Sequence, residues 1–128
     1  MHTRPLMVTI KNFEDLEVWK LARELVNLIY RDFHSCKDYN LKNQITSAGL
    51  SIKNNIAEGF SRSSDKEFRH FLNISKGSCS EVRSIYYTAE DQNFISGYTA
   101  NDRRKRVSVI ITKITNLMYY LQKNNKPE

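Results

Sequence analysis

Residues 64–89, SDKEFRHFLNISKGSCSEVRSIYYTA, decide the fold class of this chain. The stretch opens with Ser64 and Glu67, the spacing of a capping box, in which a serine hydroxyl accepts a hydrogen bond from the backbone amide three residues later. Apolar or small side chains then return every three or four residues, at Phe68, Leu72, Ser75, Cys79, Val82, Tyr86 and Ala89. This is the period of one helix face, so the stretch predicts a long amphipathic α-helix.

Three other segments show the same spacing of apolar side chains. They run over about residues 15–33, 41–57 and 99–121, and no proline interrupts them, because Pro5 and Pro127 are the only prolines. Long helices joined by short polar connections are most simply antiparallel neighbours in space. We therefore predict an all-α fold, an up-down-up-down antiparallel four-helix bundle.

Small and polar residues mark the predicted helix ends. Asn40 is placed to cap the second helix and Gly59 to stop it, while Thr99 opens a second capping-box pattern at the fourth. Gly77 and Ser78 mark a point in the third helix where a neighbouring backbone can come close. These residues set the expected helix lengths and the expected point of tight packing.

The length of 128 residues gives room for one domain. We expect a single bundle over 1–128, with an N-terminal arm over 1–12 and a frayed tail over 124–128. No apolar stretch approaches a membrane span, and the first residues lack the apolar core of a signal peptide. The two cysteines, Cys36 and Cys79, then predict a reduced cytoplasmic protein with free thiols, the second packed as a small apolar side chain.

The chain is basic, since 20 lysines and arginines against 14 aspartates and glutamates give a formal net charge of +6. This balance favours anionic partners, nucleic acid first, although it also serves solubility alone. The strongest feature is the run Arg103, Arg104, Lys105 and Arg106, whose predicted place at the start of the fourth helix opposes the helix dipole. We predict that these four residues contact phosphates; the alternative is a solvated charged end.

Polar side chains flank the apolar stripes of the second and third helices. Gln44, Asn55 and Glu58 lie on one side of the second helix, and Ser78 and Glu81 hold a comparable flank of the third. Where such flanks meet, the side chains can hydrogen-bond and set the register of the two helices. We predict a structural polar network from these five residues; a ligand-binding role is the alternative.

Residues suited to catalysis or metal binding are sparse. Glu67 and His70 have the Glu-x-x-His spacing of di-iron bundles, but such sites need a second pair, and the sequence contains none. Cys36 follows His34 by two residues without a third group to orient them, and no Gly-rich phosphate loop is present. We therefore expect no enzyme activity, no cofactor and no metal.

The apolar arcs of the first and third helices are wider than a bundle core needs. On a wheel of 100° per residue they span about 200° and about 160°. Trp19 and Leu28 widen the first arc, and Phe71 and Ile74 widen the third. The excess apolar surface predicts that copies of the chain associate.

Several motifs, in order along the chain, resemble one protein family. They are FEDLEVW at residues 13–19, NIAEG at residues 55–59, and Glu67-Phe68 followed by Gly77-Ser78. In these the chain resembles the four-helix-bundle proteins encoded within intervening sequences of bacterial 23S ribosomal RNA genes. Ser75 stands where that family more often has alanine, a departure that leaves the fold unaffected.

The resemblance implies a four-helix bundle assembled as a ring-shaped homopentamer. It also implies kinship with the accessory protein of diversity-generating retroelements, a basic pentamer that binds nucleic acid and a reverse transcriptase. Two functions follow as hypotheses: a noncatalytic oligomer that binds RNA or DNA, or a protein–protein adaptor, for example for a reverse transcriptase. Five copies of the chain would carry about thirty net positive charges, which strengthens polyanion binding.

Overall fold

The computed structural model describes residues 10–124 and consists of four α-helices. They are α1, Glu17–Asp32; α2, Tyr39–Phe60; α3, Asp65–Asp91; and α4, Gly97–Asn124, with a short 3-10 turn at Phe13–Asp15 ahead of α1. No β-strand occurs between residues 10 and 124, and the predicted all-α fold is confirmed. The predicted arm over 1–12 and tail over 124–128 lie, apart from residues 10–12 and 124, outside the described residues.

The four helices form a closed four-sided bundle in chain order. α1 packs on α2, α2 on α3, α3 on α4, and α4 returns to α1, whereas no close backbone approach crosses either diagonal of the described bundle. Because the connections are short, successive helices run in opposite directions, which is the predicted up-down-up-down arrangement. The α2–α3 contact is the most extensive and the α1–α4 contact the least.

The core consists of the apolar stripes that the helical period identified. Each helix contributes side chains with no more than 1% of their surface exposed. They include Ala22, Leu25 and Ile29 from α1; Ile45, Ile52 and Ile56 from α2; Phe68, Leu72 and Val82 from α3; and Val107, Ile114 and Leu121 from α4. Burying one leucine-sized side chain contributes about 1.5–3 kcal/mol, so these stripes hold the helices together.

The helix starts confirm one predicted cap and correct two others. Ser64 Oγ accepts from the Glu67 amide at 3.1 Å, as the capping-box pattern predicts. The second helix is capped by Asp38 rather than Asn40, because Asp38 Oδ1 accepts from the Leu41 amide at 3.1 Å. The fourth helix begins at Gly97, and Ser96 Oγ accepts from the amide of Thr99, so Thr99 lies inside the first turn. Several residues can serve as caps near each helix start, and the tertiary path of the loop decides between them.

Two glycines have roles opposite to those predicted. Gly59 is buried inside α2, and a Cβ added there would lie 2.8 Å from Phe71 Cβ and 2.9 Å from Phe68 Cδ1. It therefore permits close approach of α2 and α3 and does not stop the helix, which runs on to Phe60. Gly77 is exposed, and a Cβ there would meet nothing within 4 Å, so the predicted close approach at Gly77 is wrong.

Candidate nucleic-acid interface

The basic run at residues 103–106 lies deeper in α4 than predicted. Since α4 begins at Gly97, the run occupies its second and third turns, beyond the first turn where the helix dipole acts. Its neighbours are the carboxyl ends of α1 and α3, because Arg103 reaches Asp32 and Arg104 reaches Glu90. The predicted unfavourable placement at a helix start is therefore corrected.

Arg103 forms a buried ion pair with Asp32. Its Nε lies 2.7 Å from Asp32 Oδ2 and its NH2 lies 2.9 Å from Asp32 Oδ1, a bidentate contact in which the side chains are 13% and 6% exposed. The hydroxyl of Tyr86 donates to the same Oδ2 at 2.8 Å. Burial raises the pKa of Tyr86, and its hydrogen bond to Asp32 raises that pKa further, so the phenol remains a donor. These contacts join α1, α3 and α4 at one end of the bundle.

The neighbouring guanidinium groups are paired as well. Arg104 lies 2.8 Å from Glu90 Oε1, and its Cζ sits 4.0 Å from the centre of the Tyr87 ring. Arg106 contacts Glu24 and also donates from Nε to Asp102 Oδ2 at 2.9 Å. The hydrogen bonds from Arg106 and Arg103 hold the pKa of Asp102 below its usual range.

Lys105 is thus the one residue of the run that is exposed and makes no ion pair within the described chain. That all four residues bind phosphate stays a prediction, but three of their charges are compensated inside the bundle. Sequence reasoning missed the partner Asp32. One feature of the sequence could have indicated it: Asp32 lies in the last turn of a helix, where the helix dipole disfavours negative charge unless a cation is close.

All three carboxylates of α1 pair with cations of α4. Glu17 contacts Lys113 at 3.1 Å, Glu24 contacts Arg106, and Asp32 contacts Arg103. These ion pairs tie together the two helices whose packing contact is the least extensive. Consequently, the cations of α1 itself are left without carboxylate partners.

Cations that form no ion pair with a carboxylate lie on another surface, formed by α1, α2 and the loop between them. We call it the α1–α2 face; its cations are Arg23, Lys37, Lys42 and Lys53. No ion pair joins any of them to a carboxylate within the described part of the chain. The nearby acid Asp38 is engaged as the cap of α2. Four cations therefore lie on this face, and Glu14 and Asp15, in the 3-10 turn ahead of α1, are the exposed carboxylates beside it.

The helix geometry places these cations on one surface. The Val26 side of α1 faces α2, because a Cβ added to Gly49 would lie 3.7 Å from Val26 Cγ2. At 100° per residue, Arg23 lies about 60° from Val26, toward solvent. On α2, Lys53 lies about 40° from Gly49 by the same count. Near the loop, Lys42 Nζ donates to the backbone oxygen of His34 at 3.2 Å, which ties α2 to the end of α1.

Three aromatic side chains lie among these cations. Trp19 is half-buried, packs edge-on against Phe13 at 5.1 Å, and has the Arg23 guanidinium 5.7 Å from its ring centre. Tyr30 and Tyr39 are 52% and 65% exposed. Cations alternating with exposed aromatic rings are typical of surfaces that bind nucleic acid. The α1–α2 face is thus a better candidate interface than the run at residues 103–106.

The family model of the 23S rRNA-intervening sequence proteins matches residues 14–116. The chain belongs to this family. It is also similar to a solved structure of a protein of unknown function from the S23 ribosomal protein family of Bacteroides thetaiotaomicron. The two share 21% identity with a TM-score of 0.70, over 79% of this chain and 94% of the other, a likeness that shows the fold. No curated protein matches the chain.

The predicted polar network of this 23S rRNA-intervening sequence protein is smaller than expected. Asn55 Nδ2 donates to Ser51 Oγ at 3.0 Å, and Ser78 Oγ donates to the same oxygen at 2.8 Å. Ser51 is thus the centre of the network, and the buried Ser75 adds a bond from Oγ to the Ile52 backbone oxygen at 2.9 Å. These bonds link α2 to α3, as the structural interpretation requires.

The other three predicted members make no hydrogen bond to this centre. Gln44 donates to Asn40, Glu58 pairs with Arg62 at 2.8 Å, and Glu81 is exposed. Gln44 and Glu81 line an open groove of about 380 Å³ between α2 and α3. The flanks meet only where side chains are short, because the longer ones extend to solvent.

The residues considered for metal binding or catalysis do not come together in one site. Glu67 and His70 are both exposed on α3, and within residues 10–124 no three His, Cys, Asp or Glu side chains are grouped to hold a metal ion. Cys36 is half-buried, and its Sγ donates to the Asp38 backbone oxygen at 3.7 Å. Cys79 is fully buried, as predicted, and burial raises the pKa of its thiol to about 12. None of the described helices has the length and apolar character needed to cross a membrane.

Proposed function

We propose that this protein is a noncatalytic nucleic-acid-binding protein and that the α1–α2 face makes its phosphate contacts. The supporting observation is the separation of charge on α1. Its carboxylates Glu17, Glu24 and Asp32 pair with cations of α4, while Arg23 makes no ion pair and lies on the side of α1 that faces the cations of α2. Unpaired lysine and arginine side chains can displace the counterions of a polyanion, and this release drives nucleic-acid binding.

A charge-matched pair of variants tests the proposal. The first replaces Arg23, Lys37 and Lys53 by serine; all three lie on the α1–α2 face and make no ion pair within the described chain. In the control, Lys66, Lys76 and Lys123, on α3 and α4 and outside both candidate sites, are replaced by serine, so both variants carry the same net charge. Binding of a labelled 20-nucleotide RNA is followed by fluorescence anisotropy between 50 and 200 mM salt.

We expect the first variant to lose about tenfold or more in affinity at low salt. The slope of log K against log salt should become shallower by about 2, since each lost phosphate contact contributes about 0.7 with single strands. The control should retain the slope of the parent, because only its long-range attraction changes. Equal losses in both variants, or no binding by the parent at 50 mM salt, would contradict the proposal.

We also propose that the chain assembles as a homo-oligomer, a homopentamer by the family resemblance. Support comes from apolar side chains that one copy leaves uncovered outside the α1–α2 face. Ile74 on α3 is 40% exposed and Val109 on α4 is 47% exposed, with Leu21, Leu28 and Phe71 half-buried. Val26 and Ile85, at the edges of the two wide apolar arcs, are buried within the bundle and add nothing to this uncovered surface. Leu21 and Val109 line a groove between α1 and α4, whereas Phe71 lies against α2, so two separate surfaces are available. A ring is built by a head-to-tail contact between two different surfaces of each copy.

Light scattering coupled to size-exclusion chromatography tests the assembly. A pentamer gives a mass of about 75 kDa, five times the 15.0 kDa of one chain. Replacing Ile74 and Val109 by aspartate should shift the mass toward that of one chain, because charge at an apolar interface is costly to desolvate. A parent protein that elutes at 15.0 kDa at high concentration would refute the assembly.

A further inference from the structure

The α1–α2 face contains exposed aromatic side chains as well as positive charges. Tyr30 and Tyr39 are more than half exposed, and neither hydroxyl makes a hydrogen bond within the described chain. Each ring has an unpaired cation on the same side of its helix: Arg23 lies seven residues before Tyr30, two helical turns, and Lys42 follows Tyr39 by three residues, one helical turn. The face therefore offers flat apolar rings beside positive charge, with no internal contact that accounts for the exposure of the rings.

From this arrangement we infer that the α1–α2 face binds single-stranded nucleic acid, with bases stacked on Tyr30 and Tyr39 and phosphates held by the neighbouring cations. The inference rests on the proposed function and names its ligand class. A duplex keeps its base faces inside the stack and presents mainly phosphates to a protein. A single strand exposes its base faces, and stacking on an aromatic ring is then available for any base.

The spacing on α1 suits a strand lying along the helix. Trp19 and Tyr30 are eleven residues apart, about three helical turns, so they lie within about 20° of each other on the wheel. Their separation along the axis is about 16 Å at 1.5 Å per residue. A stacked strand rises about 3.4 Å per nucleotide, so this length corresponds to about five nucleotides. Arg23 lies between the two rings, where its guanidinium can contact a phosphate or a base plane.

Other exposed aromatic residues of the chain lack an unpaired cation of the α1–α2 face beside them. Tyr98 and Tyr119 on α4 are 89% and 70% exposed, but they lie outside the α1–α2 face and its unpaired cations. Tyr87 has a guanidinium over its ring, but that group belongs to Arg104, which is paired with Glu90. Tyr98 and Tyr119 are therefore matched controls for the loss of an exposed ring.

The test uses the full chain and two labelled probes, a 15-nucleotide uridine strand and a 15-base-pair RNA duplex. One variant carries Tyr30→Leu and Tyr39→Leu, which keeps apolar bulk and removes the rings. The control carries Tyr98→Leu and Tyr119→Leu. Circular dichroism establishes that both remain helical, as expected for exposed positions where leucine is a good helix former. Quenching of the fluorescence of Trp19, the only tryptophan, reports contact of the probe with the part of the face near the start of α1.

We expect the first variant to lose about tenfold or more in affinity for the single strand and less than twofold for the duplex. The control should bind both probes as the parent does. The single strand should quench Trp19 fluorescence in the parent more than the duplex does. Equal affinities for both probes, with no effect of the tyrosine substitutions, would overturn the stacking inference while leaving salt-dependent binding intact. Absence of binding to either probe at 50 mM salt would instead remove the proposed function and the inference with it.

Discussion

Replacing Asp32 by alanine is expected to destabilise the fold by about 3 kcal/mol, at the lower end of the range for a broken buried ion pair. The substitution leaves the Arg103 guanidinium, 13% exposed, without its bidentate partner and the Tyr86 hydroxyl without its acceptor. Asp102, 2.7 Å from Arg103 NH1, retains one contact and keeps the loss at the lower end. Urea unfolding followed by circular dichroism should show a lower midpoint with an unchanged m-value.

Two companion variants make this result specific. Glu24→Ala breaks the Arg106 pair, whose side chains are 41% and 58% exposed, and should cost less than about 1 kcal/mol. The double variant Asp32→Leu, Arg103→Leu should recover most of the stability lost in Asp32→Ala, because no buried charge is then left unpaired. If Asp32→Ala costs no more than Glu24→Ala, the buried pair is not a stabilising contact of this bundle.

The same substitution at two glycines of the chain should have opposite effects. Gly59→Ala places a methyl group 2.8 Å from Phe71 Cβ, which forces α2 and α3 apart and should cost about 1–3 kcal/mol. Gly77→Ala adds a methyl group in open space on an exposed helix face and should stabilise the protein by about 0.5–1 kcal/mol. Both variants are compared by urea midpoint at equal protein concentration.

The contrast depends on the packing of α2 against α3. Both glycines lie within helices, so helix propensity alone predicts stabilisation by alanine at each position. A stabilising Gly59→Ala would show that the two helices separate at little cost. A destabilising Gly77→Ala would place an unobserved contact, such as a second copy of the chain, over that position.

The helices, the core stripes and the cap at Ser64 could be predicted because they depend on short-range rules. Which side of a helix turns inward follows from the positions of apolar side chains within a few turns, and burial of apolar surface requires no particular partner. The sequence also identified the residues 103–106 as unusual. It could not show whether their charges were free, because Asp32 lies 71 residues from Arg103 along the chain.

The sequence by itself determined an all-α bundle, its order of helices and its excess of positive charge. Only the tertiary structure decided where that charge is available. The register of α1 against α4 pairs Glu17, Glu24 and Asp32 with cations of α4 and leaves those of the α1–α2 face free. An ion pair needs two specific side chains within about 4 Å, and such a distance is set by helix register across the bundle, which no local pattern of residues encodes.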